Sequence, residues 1–135
     1  MTGWLKTIRS KPSASKSGER AEQVAGDFLR RQGLKVVTTN YRCRGGEIDL
    51  VARDGQTLVF AEVRLRNHRQ FGGGAASVDW RKQQKVIVAA RHYLQALYAS
   101  DPPECRFDVL SLSSAPEKKP PYNVEWIPDA FRPDD

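Results

Sequence analysis

The sequence predicts an α/β domain in which helices pack against a mixed β-sheet. Two observations carry this expectation. Apolar residues recur at helical spacing in two long segments and alternate in several short ones. In chain order these read as helix, three strands, helix, two strands. The 135 residues, 39% hydrophobic and 28% charged, suffice to enclose one core without disulfides or structural metals.

Residues Met1 to Lys16 are rich in Ser and Lys and lack apolar periodicity, so they read as a disordered basic arm ahead of a single domain at 17–135. From Gly18 to Gln32 the residues Ala21, Val24, Ala25, Phe28 and Leu29 form a helical stripe, and Gly33 supplies a stop. Leu34 to Thr39 reads as a strand, followed by a loop, Asn40 to Gly46, with the basic pair Arg42 and Arg44. Strands Glu47 to Ala52 and Thr57 to Leu65 flank Arg53-Asp54-Gly55-Gln56, whose Asp-Gly is a hairpin signal. The glycine-rich stretch Asn67 to Ala76 reads as a plain linker or as a flap that admits a substrate backbone. Asp79 is the expected N-cap of a second helix reaching about Ser100, with Val86, Ala90, Tyr93, Leu94 and Leu97 on its buried stripe. Pro102-Pro103 closes that region, and strands Arg106 to Leu112 and Tyr122 to Ile127 follow.

The hairpin is where chemistry is expected. With Asp54-Gly55 as a two-residue turn, Arg53 pairs with Gln56, Asp49 with Phe60 and Glu47 with Glu62. Alternation assigns Ile48, Leu50, Ala52, Val59, Ala61, Val63 and Leu65 to a core face, and Glu47, Asp49, Glu62, Arg64 and Arg66 to the other. Asp49 is then a diagonal neighbour of Glu62, with α-carbons about 7–8 Å apart, close enough for both carboxylates to reach one ion. Like charges this near destabilise a sheet unless neutralised, which a divalent cation would do; a solvated strand face is the competing reading. Acidic ligands beside the Arg64 cation suit phosphodiester hydrolysis. The metal polarises the phosphate and acidifies a bound water, while the cation stabilises charge building on phosphorus. On a helical wheel Glu22 borders the buried stripe and is the candidate third ligand, whereas Glu19 falls on the solvated side.

Bulk properties narrow the partners. A net charge of +6 and a pI near 9.6 favour polyanionic partners, among which charge alone treats DNA and RNA alike. Cys43 and Cys105 are too few and too far apart for a zinc site or a disulfide framework and read as reduced, partly buried thiols. His68 and His92 are isolated, so a metal site must use oxygen ligands, which points to magnesium or manganese. No apolar run approaches the roughly 20 residues that span a bilayer, and no apolar stretch follows Lys6, Arg9, Lys11 and Lys16 as in a signal peptide. The expectation is a cytoplasmic protein with no membrane partner.

Gly18-Glu19-Arg20-Ala21-Glu22, Gly45-Gly46-Glu47-Ile48-Asp49-Leu50, Phe60-Ala61-Glu62-Val63-Arg64, Lys82 and Arg106-Phe107-Asp108-Val109 together resemble the YraN-like family of predicted endonucleases. That family is similar to the PD-(D/E)xK nuclease superfamily and to archaeal Holliday-junction resolvases. The resemblance runs from about Gly18 to Ile127. It implies a restriction-endonuclease-like three-layer fold with a central mixed sheet flanked by helices, a magnesium cofactor, and branched or structured DNA as substrate; it also allows a homodimer. Position by position, the metal-binding acids fall on Asp49 and Glu62, the helix glutamate on Glu22, the catalytic lysine on Arg64, and a secondary motif acid on Glu47. Arg64 departs from the pattern. It keeps the charge and can clamp a phosphate bidentately, but it cannot deprotonate and act as a base.

Lys82 and Lys85, about one helical turn apart, either hold substrate phosphates or form a solvated helix face; Arg42, Arg44 and Arg66 are further candidate nucleic-acid contacts. Arg106 and Asp108 share one strand face and are expected to form a supporting ion pair beside the site. The leading expectation is a metal-dependent endonuclease. Its rivals are a non-catalytic nucleic-acid-binding module on the same fold and a protein-interaction domain whose acidic cluster serves a basic partner.

Overall fold

Helix α1 (Lys16–Arg31) opens the computed structural model, which describes residues 16–66 and 79–133. The remainder of the expected basic arm and the glycine-rich stretch Asn67 to Ala76 lie outside the described residues. The helix stops where Gly33 turns left-handed at φ 96°. The Leu34 N–H donates to the Leu29 carbonyl and the Gly33 N–H to the Arg30 carbonyl, both at 3.0 Å, which is the paired bonding of a Schellman cap. The chain then enters β1 (Lys35–Cys43), followed by β2 (Gly46–Asp54), β3 (Thr57–Arg66), helix α2 (Trp80–Leu97), β4 (Cys105–Ser114) and β5 (Tyr122–Phe131). β1 therefore runs through most of the segment expected to be a loop. α2 begins at the expected cap, the Asp79 carboxylate accepting the Lys82 N–H at 2.9 Å.

The five strands form one sheet in the order β1-β2-β3-β4-β5. Only β3 and β4 run parallel, a geometry that requires a crossover, and α2 is that crossover. α1 covers one face, where Ala21, Val24, Ala25 and Leu29 meet Leu50, Ala52, Val59, Ala61, Leu110 and Leu112. α2 covers the other, where Val86, Ile87, Ala90 and Tyr93 meet Val51, Leu58, Phe60, Phe107 and Val109. Burial on both faces explains the unbroken apolar run Leu58-Val59-Phe60-Ala61 in β3. The result is a three-layer α/β arrangement around a mixed sheet, of the restriction-endonuclease-like kind. Leu97, expected on the buried stripe of α2, is 44% exposed because the helix ends there. No described helix is long and apolar enough to cross a membrane.

The hairpin register differs from the expected one. Asp54 pairs with Thr57, and Val51 rather than Asp49 lies opposite Phe60. The turn residues are Gly55 and Gln56, with Gly55 left-handed at φ 63°, the place where a type II′ hairpin demands glycine. The error is two residues, so it leaves the faces of β3 unchanged. Alternation breaks at Asn40, which is left-handed at φ 53°. Pairing of β1 with β2 passes from Thr39↔Leu50 to Tyr41↔Ile48, and the local twist sends Ile48 into the α2-side core while Leu50 stays on the α1 side. The single apolar face expected for Ile48, Leu50 and Ala52 is therefore split. Val63 is only partly buried and Leu65 is 42% exposed, since β3 outruns its cover at that end.

Candidate active site

The pairing of β2 with β3 ends at Leu50↔Ala61. Beyond it, Asp49 leaves the ladder and its Oδ2 accepts the Val63 N–H at 2.8 Å. A carboxylate thus occupies the place of a backbone acceptor and is fixed between two elements. On one side it interacts with Glu22 of α1, on the other with Glu62 of β3. Glu22 is oriented by Asn40, whose Nδ2 donates to its Oε1 at 3.0 Å. Glu62, 3% exposed, meets the Lys82 ammonium at 3.1 Å. Lys82 also lies 3.9 Å from Glu47, which Arg42 holds at 3.2 Å.

Gly46 lets Lys82 reach this far. A Cβ there would stand 2.6 Å from the Lys85 carbonyl oxygen and 2.7 Å from the Ala89 nitrogen. Only glycine lets the start of β2 approach the α2 backbone so closely, and the approach sets the first turn of α2 over the carboxylates.

Burial pushes the Glu62 carboxyl up to about 8, helped by Asp49 and opposed by Lys82. Burial, then Asp49, raise Glu22 to about 7. Asp49 is also raised, chiefly by burial and against the Val63 N–H. Burial works against the charge of Lys82, but Glu62, Asp49 and Glu47 outweigh it and hold the ammonium above its ordinary value. At neutral pH the three carboxyls therefore retain at least one proton, with one ammonium to balance the rest. The folded state holds protons that the unfolded chain releases near the ordinary value of 4.5, so stability falls as pH rises from there to about 8. Without divalent ions the thermal midpoint is expected to drop between pH 5 and pH 8. A midpoint that climbs across this window would show that the carboxyls ionise without strain.

Glu22, Asp49 and Glu62 are thus brought together, pairwise through Asp49. Among the described residues no three acidic, histidine or cysteine side chains form a ready-made metal centre. Arg64 joins Glu62, Val63, Leu65 and Lys82 in lining a cleft of about 140 Å³, with its Nε buried and unpartnered. Glu47 bridges Arg42 and Lys82. Lys82 reaches into the acid cluster at Glu62 and is not merely part of a solvated helix face, whereas Lys85 stays exposed. Arg42 is tied to Glu47 on a strand instead of lying in a loop, Arg44 is exposed in the β1–β2 turn, and Arg66 is half-buried at the end of β3.

The Arg106–Asp108 pair forms, with Nε 3.0 Å from Oδ1, but it is not beside the acids. Asp108 pairs with Ala61, whose side chain lies in the α1-side core, while Glu62 faces α2. Fully buried, Asp108 also receives the Trp126 Nε1–H at 3.0 Å and the Asp129 N–H at 2.9 Å. Arg106 reaches Asp54 at 3.0 Å, so the group clamps the hairpin turn to β4 and β5. Cys105, expected to be partly buried, is exposed near the start of β4. Sequence reasoning missed Asn40. Its one signal is that asparagine tolerates a left-handed backbone.

Residues 21–112 match the family described as "Uncharacterised protein family UPF0102". A UPF0102 protein of Methylobacillus flagellatus is 51% identical over 114 residues, 84% of this chain and 95% of its own. One from Xanthomonas oryzae pv. oryzae is 51% identical over 118 residues, 87% and 93% of the two chains. One from Cupriavidus taiwanensis is 54% identical over 125 residues, 91% and 88%. The matched span contains Glu22, Asn40, Asp49, Glu62 and Lys82. With the family matched over most of its length and relatives this similar across nearly their whole chains, the protein belongs to the UPF0102 family.

Proposed function

We propose that this chain is a metal-dependent endonuclease that hydrolyses phosphodiester bonds in DNA, with branched or structured DNA as the substrate class implied by its resemblance to YraN-like and PD-(D/E)xK nucleases. The observation that carries the reading is the meeting of Glu22, Asp49 and Glu62 beside Lys82. The donor set fits magnesium or manganese. All three side chains offer hard carboxylate oxygens, and burial, with Asp49 second, raises Glu22 and Glu62, so a bound cation would favour the ionised forms that burial disfavours. Asp49 and Glu62 would hold the ion, with Glu22 completing the set. When bound, such an ion supplies a polarised phosphate oxygen and a more acidic water.

The chain's own cations do the remaining electrostatic work. Arg64 lines the cleft next to Glu62 with a buried donor in want of an acceptor, a role a phosphate oxygen fills. Lys82 offsets charge as it builds on phosphorus. Because Lys82 already places an ammonium against Glu62, Arg64→Lys is expected to change the cleavage rate by less than about 10-fold, and Lys82→Ala to lower it by more than about 100-fold. The reverse ranking would assign the lysine's work to position 64 alone.

Cleavage assays with branched, single-stranded and duplex DNA in magnesium or manganese test the proposal. Ion-dependent cleavage of at least one substrate is expected. Arg64, where the pattern has lysine, favours a second reading, a nucleic-acid-binding module without catalysis, and binding with no cleavage in any condition would select it. A docking patch for a basic protein is disfavoured, because Glu62 is 3% exposed and such a patch needs acids at the surface.

A further inference from the structure

Helix α2 opens on Trp80, 65% exposed and the most exposed large apolar side chain among the described residues. Tryptophan rarely stands so open, since its ring is worth more buried against a partner. Arg81 beside it is exposed, Lys82 reaches into the acid cluster, and Lys85 is exposed one turn further on. Leu65, 42% exposed, lines the cleft with Arg64 and Lys82. Trp80 stands two residues before Lys82 and Leu65 one after Arg64, so exposed apolar surface and cations lie on the element ends that also carry the acid cluster, a combination that matches one kind of ligand: a flat uncharged ring joined to a phosphate. Within a duplex the base faces are covered by their neighbours and only the edges are reachable from the grooves. An indole stacks most readily on a base that has left the pair, because both faces of that base are uncovered.

We propose that Trp80 is a stacking platform for an unpaired base, so that the cluster acts on nucleic acid with single-stranded character next to the phosphate it attacks. The inference rests on the nuclease reading and narrows its substrate class. The cations Arg81 and Lys85 follow the backbone, and Trp80 selects strands whose bases are free.

Fluorescence anisotropy of the full chain, in EDTA to prevent cleavage, with fluorescein-labelled oligothymidine and a duplex of equal length, tests this. Wild type is expected to prefer oligothymidine. Trp80→Ala should weaken that binding about 10-fold or more while leaving duplex binding within about 2-fold, and Trp80→Phe should retain most of the preference. Because the indole is exposed, both variants should melt with the wild type. If Trp80→Ala leaves oligothymidine binding intact, or weakens both ligands equally, the platform is refuted and Trp80 is left as a surface for a protein partner. Binding of neither ligand by the wild type would refute the nucleic-acid reading together with this one, whereas good binding that is indifferent to Trp80 would refute this one alone.

Discussion

Asp49→Asn is expected to lower cleavage by at least about 100-fold while making the ion-free protein more stable at pH 8. Asp49 is the one acid in contact with both others, and its charge raises the values of both Glu22 and Glu62. Removing that charge lets the two neighbours ionise nearer their ordinary range. Asparagine still offers a carbonyl oxygen to the Val63 N–H, which now bonds to Oδ2, so the buried donor is not orphaned. Asp49→Ala would orphan it, at about 1–3 kcal/mol, and so would mask the gain. Cleavage assays and thermal melting of the two variants at pH 8 read out both halves. An active Asp49→Asn protein, or one that melts earlier than wild type, would remove Asp49 from the centre of the site.

Gly46→Ala is expected to have the largest effect on stability of the glycine substitutions, about 2–4 kcal/mol in urea unfolding. The new methyl would meet two backbone atoms of α2 within 2.7 Å, and backbone cannot rotate aside as a side chain does. α2 must lift off β2, which carries Lys82 away from Glu62. The residual activity should therefore fall further than the unfolded fraction explains. Gly55→Ala is the natural comparison. Its Cβ would meet open space, so its cost is limited to the left-handed φ of 63°, about 1 kcal/mol. Equal costs at the two positions would mean that the close approach of β2 to α2 contributes nothing.

The features legible in the sequence are those set by local rules. Gly33 and Asp79 end and begin helices through their own backbone and side-chain chemistry, and both act where their spacing indicated. The meeting of Asp49 with Glu62 survived a wrong turn assignment, because a two-residue slip preserves strand faces. What was not legible depends on distant partners. The left-handed Asn40 opposite the start of the acid cluster reverses the side of Ile48, and no periodicity in β2 signals it. Lys82 shares its helix turn with Lys85 and looks like one of a pair until the close packing at Gly46 brings it alone to Glu62. Arg106 and Asp108 announce an ion pair by their spacing, but only the strand order shows that it clamps β5 rather than serving the acids.

Anomalous diffraction from crystals grown in manganese addresses the shared ion directly. A peak about 2 Å from both the Asp49 and Glu62 carboxylates, with Glu22 turned toward it, is the expected outcome. An ion bound elsewhere, or an undisturbed Lys82–Glu62 pair with no peak at saturating manganese, would contradict it.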